Sequence, residues 1–212
     1  MNRDFLNRVE SFGFAQILGF DLCINEFQEF CSGIGEVVPE EPGASLVTYL
    51  QSEKNLNVSD IPLHTDKSYW KKPPRFIVFY FKEISGFSGG ETLLTNLVDS
   101  YQSLCIEDRE ILSKSNVLIK SPCNRKPYCQ KVRLVELKDN SVKMVRFRLD
   151  VTHSSLRFVM GKWYDKAENS CISLSPAPGT ILMVDNHRWA HGRNFCNFEQ
   201  FGQRIIYRCL VL

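Results

Sequence analysis

The stretch RFIVFYF at residues 75–81 leaves the chain few choices. It is an unbroken apolar run, far too short to cross a membrane as a helix. It lacks the alternation of a strand with one face in water. It reads as a strand buried on both faces, and such a strand needs covering layers on either side.

Most of the chain beyond residue 38 follows the same pattern. SLVTYLQ (45–51), SNVLIKS (115–121), RLVEL (133–137), VKMVRFRL (142–149), GTILMVD (179–185) and RIIYRCLVL (204–212) all read as strands. Asp139-Asn140-Ser141 marks a hairpin turn. Ahead of them, residues 3–10 predict a short helix with Phe5, Leu6 and Val9 on one face, and 13–18 a strand. Asn25 reads as the N-cap of a second helix carrying Phe27, Phe30, Cys31 and Ile34, with Gly35 as its stop. No repeat, linker or low-complexity tract divides the chain. The expectation is one domain over 1–212, mainly β with flanking helices, in which 1–38 form a lead-in packed on a sandwich or barrel.

Composition excludes several function classes. Net charge is +2, and the 26 basic residues are scattered, so nothing favours nucleic acid as a partner. No apolar segment approaches a membrane span, and the N-terminus lacks a signal-peptide pattern. The Asn57-Val58-Ser59 sequon therefore carries no weight. The eight cysteines form no C-x-x-C pair. They read as reduced thiols of a cytoplasmic protein, several of them filling the core.

The chemistry-bearing residues are few. The chain has four histidines, at 64, 153, 187 and 191. In PLHTDKSYW (62–70), His64 and Asp66 are two apart. In extended backbone they point to one side, where an imidazole nitrogen and a carboxylate oxygen can converge on a cation. VDNHRWAHGR (184–193) offers His187 or His191 as a third ligand. Two histidines and a carboxylate on one face leave three positions open, which suits Fe(II), although zinc accepts the same donors. On the last strand, Arg204, Ile206, Arg208 and Leu210 share a face. If that face lines a cavity, each guanidinium needs an anion, and a carboxylate is its natural partner.

These segments come in a telling order: HTD at 64–66, GGET at 89–92, DN and HGR within 185–193, and RIIYR at 204–208. Together they resemble the taurine dioxygenase family of Fe(II)/2-oxoglutarate-dependent oxygenases. FGFAQILGFDLCINEFQEFCSGIGEVV (12–38) is similar to that family's lead-in, so the resemblance runs over nearly the whole chain. It implies a double-stranded β-helix, a cupin-like jelly roll, with iron held by His64, Asp66 and His191. His187 falls at a loop position near the site, and the roles of His153 and Arg193 stay open. The resemblance also implies that Arg204 and Thr92 hold the far carboxylate of 2-oxoglutarate. Arg208 points the same way, about 13 Å further along the strand, where relatives can bind an anionic group of the substrate. Tyr69, Trp70 and Trp189 are the other candidate substrate contacts.

The activity so implied is a dioxygenase using Fe(II), 2-oxoglutarate and O2. It would hydroxylate an unactivated C–H bond of a small molecule, an amino acid or derivative in a biosynthetic pathway. Desaturation or cyclisation differs only in the fate of the radical. Asp66 disfavours halogenation, because related halogenases replace that carboxylate with a small residue. Three rivals are a non-catalytic jelly roll binding a metal or small acid, a zinc hydrolase with Glu91 as the nearest motif base, and a pure interaction domain. The oligomeric state stays open.

Overall fold

The computed structural model describes residues 2–53, 59–120, 129–139, 141–147 and 154–212. Helix α1 (Asn2–Phe12), strand β1 (Phe14–Ile17) and helix α2 (Ile24–Ser32) form the lead-in. Strands β2 (Val37–Val38), β3 (Val47–Glu53), β4 (Ile61–His64), β5 (Phe76–Gly89) and β6 (Thr92–Asn96) follow. Helices α3 (Leu97–Gln102) and α4 (Ile106–Lys114) lead to two antiparallel pairs. These are β7 (Asn116–Lys120) with β8 (Cys129–Arg133), and β9 (Val135–Lys138) with β10 (Ser141–Val145). Helix α5 (Ser154–Asn169) precedes β11 (Ile172–Leu174), β12 (Thr180–Asp185), β13 (Trp189–Arg193) and β14 (Cys196–Val211).

Two antiparallel sheets make the jelly roll. The larger runs β1-β12-β5-β14-β2, with β3 also paired to β14. The smaller runs β11-β6-β13-β4. Of the run at 75–81, residues 76–81 fall within β5 and are buried on both faces, as their composition demands. Phe76, Val78 and Tyr80 pack outward against α1 and α2, together with Phe5, Val9, Phe27 and Cys31. Ile77, Phe79 and Phe81 pack inward with Leu94, Leu182, Val184 and Ile206. Neighbouring β12 and β14 split their side chains in the same way, so the period of two writes both layers at once. A third cluster, around Leu112, Leu134, Phe147 and Trp163, holds the helices and the two strand pairs to the smaller sheet.

Several expectations need correction. The second helix is capped by Cys23, whose backbone N–H donates to Glu26 Oε2 at 2.7 Å, and it ends at Gly33. Asn25 lies inside it, so Asn25 and Gly35 are not its caps. Three helices, α3, α4 and α5, interrupt the predicted run of strands. On α5, Leu156, Val159, Met160, Trp163 and Ala167 are all buried at helical spacing. The signal was a period of 3.6 that a reading of apolar runs passes over. On α4 the buried positions are only Asp108 and Leu112, too few to mark a face. His153, Cys123, Asn57 and the ends of two predicted strands lie outside the described residues. The described cysteines are free, and Cys31, Cys196 and Cys209 fill the core as expected.

Candidate active site

The two sheets face each other across the candidate centre. His64 ends β4, and β13 pairs with β4 so that His191 lies directly opposite it. Opposed residues of an antiparallel pair share a face. The chain then leaves the strand and turns: Lys67 is left-handed at φ 52°, and Trp70 N–H closes the turn on Lys67 O at 2.8 Å. Asp66 sits in this turn with its carboxylate against both rings.

Asn186, the second residue of the DN pair, fixes the turn. Its Oδ1 accepts from Asp66 N–H at 2.7 Å, and its Nδ2 donates to Asp66 O at 3.1 Å and Pro74 O at 2.9 Å. Thr65 is held from the other side. Its N–H donates to Phe147 O at 3.1 Å, and its Oγ1 accepts from Phe147 N–H at 2.9 Å. A segment 120 residues away thus sets the backbone of the central residue.

His64 Nε2 lies 3.3 Å from Asp66 Oδ1, and His191 Nε2 lies 3.9 Å from Asp66 Oδ2. The three potential ligand atoms fall within 4.8 Å of one another. His64 Nδ1 is 2.9 Å from Pro62 O. Donation there fixes the tautomer and leaves the Nε2 lone pair facing Asp66. Burial, with His64 and Arg208 nearby, pushes His191 down to about 3, so it is neutral at physiological pH. Burial alone would raise Asp66. The Arg208 guanidinium and the two histidines outweigh it and hold the carboxyl well below the usual range. A neutral His191 imidazole beside an ionised Asp66 carboxylate is the pair of protonation states that a divalent metal requires.

A cavity of about 360 Å3 runs from His64 and His191 to Arg193 and Arg204. That is the small end of the range for ligand sites. Among the described residues lining it none is acidic and three are arginines. Arg204 is buried, its guanidinium 5.4 Å from the Phe81 ring centroid. Burial and neighbouring Arg193 lower it to about 10, still a cation. Thr92, also buried, lines the same cavity. Phe79, Phe81 and Ile206 supply apolar wall, and Phe79 meets the His191 ring edge-on.

The structure brings His64, Asp66 and His191 together, and gathers Thr92, Arg204 and Arg208 around one cavity. It does not bring the three aromatic candidates there. Tyr69 is buried in the helical core cluster, although its phenol is near enough to Arg208 to interact with its charge. Trp70 is half-buried with Lys67 Nζ 5.8 Å from its ring. Trp189 packs edge-on against Phe14 of the lead-in. None of the three lines the cavity, because neighbouring apolar residues take up their rings. Arg208 lines it, but its guanidinium is engaged by Asp66 Oδ2 at 3.0 Å and by Glu40. His187 turns away, with Nε2 3.2 Å from Pro73 O. Glu91 accepts from Asn194 Nδ2 at 3.0 Å and is not among the lining residues, which leaves the hydrolase reading without its base.

Arg193, whose role the sequence left open, and Glu40, which it did not single out, also contribute. Arg193 donates to Ser52 Oγ at 2.9 Å and Ser59 O at 2.7 Å, tying β13 across to β3. Its place in HGR was the only signal. Glu40 sits in no motif and gave none.

Known proteins share this fold. The family model for taurine catabolism dioxygenase TauD, TfdA family, matches residues 2–153. The 3-((Z)-2-isocyanoethenyl)-1H-indole synthase of Fischerella ambigua is 26% identical over 220 residues, covering 92% of this chain and 80% of that protein. An asparagine oxygenase, solved with Fe(II), 2S,3S-3-hydroxyasparagine and succinate, superposes with a TM-score of 0.83 at 14% identity. That match covers 100% of this chain and 78% of the other. PvcB, an Fe, alpha-ketoglutarate dependent oxygenase from an isonitrile synthetic pathway, gives 0.76 at 17% identity, covering 100% and 80%. No helix among the described residues is long and apolar enough to cross a membrane. With well over half its length matched, the chain belongs to the TauD/TfdA family of Fe(II)- and 2-oxoglutarate-dependent oxygenases.

Proposed function

We propose that His64, Asp66 and His191 hold the iron of this oxygenase and that Arg204 and Thr92 hold the far carboxylate of 2-oxoglutarate. Its substrate is a small amino acid or derivative, hydroxylated at an unactivated C–H bond within a biosynthetic pathway. Residues 1–212 act as one oxygenase domain, with 1–38 as its lead-in, in the cytoplasm. The observation that carries the reading is the position of three ligand atoms within 4.8 Å beside a cavity that also holds Arg204. The donor set fits Fe(II): two imidazole nitrogens and one anionic carboxylate oxygen.

Iron(II), with 2-oxoglutarate and O2, supplies the oxidising power to break a C–H bond, giving succinate and CO2 as coproducts. The protein's own part is placement. Arg204 and Thr92 fix the cosubstrate by its charged end, so its keto acid end points toward the histidines. Phe79, Phe81 and Ile206 keep water from the space between. An amino-acid substrate is supported by the asparagine oxygenase and by the small cavity volume. The ethenyl group in the name of the Fischerella ambigua synthase's product favours a second outcome on the same scaffold, desaturation. Arg208 remains the residue placed to meet a substrate's anionic group, provided its present partners release it.

Anaerobic titration with Fe(II) and 2-oxoglutarate, followed by visible absorption, tests the core of the proposal. A weak charge-transfer band is expected, and succinate release across a panel of amino acids and N-modified derivatives then finds the substrate. A folded protein that binds Fe(II) but gives no band with 2-oxoglutarate would return the chain to the non-catalytic reading.

A further inference from the structure

The charges beside Asp66 form a continuous chain from Asp66 through Arg208 and Glu40 to Lys67. Arg208 Nη1 donates to Asp66 Oδ2 at 3.0 Å, and Arg208 Nη2 donates to Glu40 Oε1. Lys67 Nζ donates to Glu40 Oε2 at 3.1 Å, and Thr48 Oγ1 donates to Glu40 Oε1 at 2.6 Å. Every member is largely sheltered: side-chain exposure is 10% for Asp66, 15% for Arg208, 23% for Glu40 and 11% for Lys67. Two carboxylates therefore balance two cations beside the proposed metal centre.

We propose that Glu40 is a positioning residue for the metal carboxylate, acting through Arg208. The inference rests on the reading of Asp66 as an iron ligand. Arg208 and a divalent cation compete for the same carboxylate. Glu40 is the counter-ion that draws the guanidinium the other way and cancels its charge. Without Glu40, Arg208 and Lys67 face Asp66 alone, and one net positive charge is added beside a cation site in a sheltered, low-dielectric setting. The guanidinium then has no anion but Asp66 and settles on it more firmly. Both effects weaken metal binding, and neither requires Glu40 to touch the metal, 2-oxoglutarate or substrate.

The test is the Fe(II) affinity of the full chain, measured anaerobically by competition with a coloured chelator. It compares wild type, Glu40→Gln, Arg208→Gln and the double variant. Glu40→Gln keeps the side chain's shape and an oxygen for Thr48, and urea unfolding of the metal-free proteins reports whether the fold is kept. Glu40→Gln is expected to weaken Fe(II) binding about tenfold, the lower end for residues that orient metal ligands. The double variant should recover most of that loss, because the uncompensated guanidinium is gone. A structural role for Glu40 would lower stability and show no recovery. Glu40→Gln binding Fe(II) like wild type, or a double variant no tighter than Glu40→Gln, overturns the inference while leaving the iron site standing. Wild type that takes up no Fe(II) overturns both.

Discussion

His64 and His191 face each other across a strand pair with their ring centroids 4.5 Å apart. Two imidazoles this close, one of them deeply buried, have Asp66 as the anion between them. Take that carboxylate away and a metal would meet only neutral donors beside the Arg208 cation. Asp66→Ala is therefore expected to abolish iron retention, read as metal content after anaerobic desalting. Retention at the wild-type level removes Asp66 from the ligand set.

Arg204 should matter to the cosubstrate and not to the metal. A charge-assisted bond of about 1.5–3 kcal/mol corresponds to roughly ten- to hundredfold in affinity. Arg204→Ala should raise the 2-oxoglutarate concentration needed for the charge-transfer band by that factor, with Fe(II) affinity little changed. An unchanged requirement assigns the carboxylate to another group, Arg193 first.

The three hydrogen bonds of Asn186 predict a double effect. Asn186→Ala leaves the buried Asp66 amide and Pro74 carbonyl without that partner, at a cost of about 2 kcal/mol or more. Urea unfolding should show that loss in the metal-free protein, and Fe(II) affinity should fall as well because Asp66 is no longer held. Loss of stability with iron affinity intact would make Asn186 a fold residue alone.

His187 carries a pH signature. Burial lowers it from its ordinary value near 6.5, outweighing the Pro73 carbonyl that favours its charged form. The unfolded chain then binds a proton that the folded chain refuses, so stability falls as pH drops below about 6.5. Metal-free wild type should unfold more readily at pH 5.5 than at pH 7.5. His187→Gln should reduce that difference. An equal difference in both proteins would mean that His187 is protonated without cost.

Legibility in the sequence followed physical range. The strands were readable because alternation and apolar runs are local; that Arg204, Ile206 and Arg208 share a face of β14 was readable too, but that this face lines the cavity was not, and only the family resemblance pointed inward. His64 and Asp66 were readable as a pair from their spacing, although Asp66 reaches His64 from a turn and not from the extended backbone that this reading assumed. Choosing His191 over His187 needed the motif resemblance; register supplies the physical reason, since His191 alone falls opposite His64. Helix α5 was written in plain 3.6 spacing and overlooked. The aromatic candidates, Tyr69, Trp70 and Trp189, do not line the cavity for a different reason. Nearness in sequence to a ligand says nothing about which way a ring turns, and Trp189, two residues from His191, turns to Phe14. Glu40 was invisible because its partners, Thr48, Lys67 and Arg208, come from three separate segments.

The strand that carries both Arg204 and Arg208 is the last in the chain's order, yet it lies inside the large sheet, between β5 on one side and β3 with β2 on the other. During synthesis, β5 and β3 must wait with open edges until β14 emerges and inserts between them. Until then the cavity lacks a wall and the nascent chain offers two unpaired strand edges to its neighbours, a setting for aggregation. A chain truncated before residue 196 stays in that state. Arg204 and the cavity wall around it are thus reserved for a polypeptide whose translation has passed through β14.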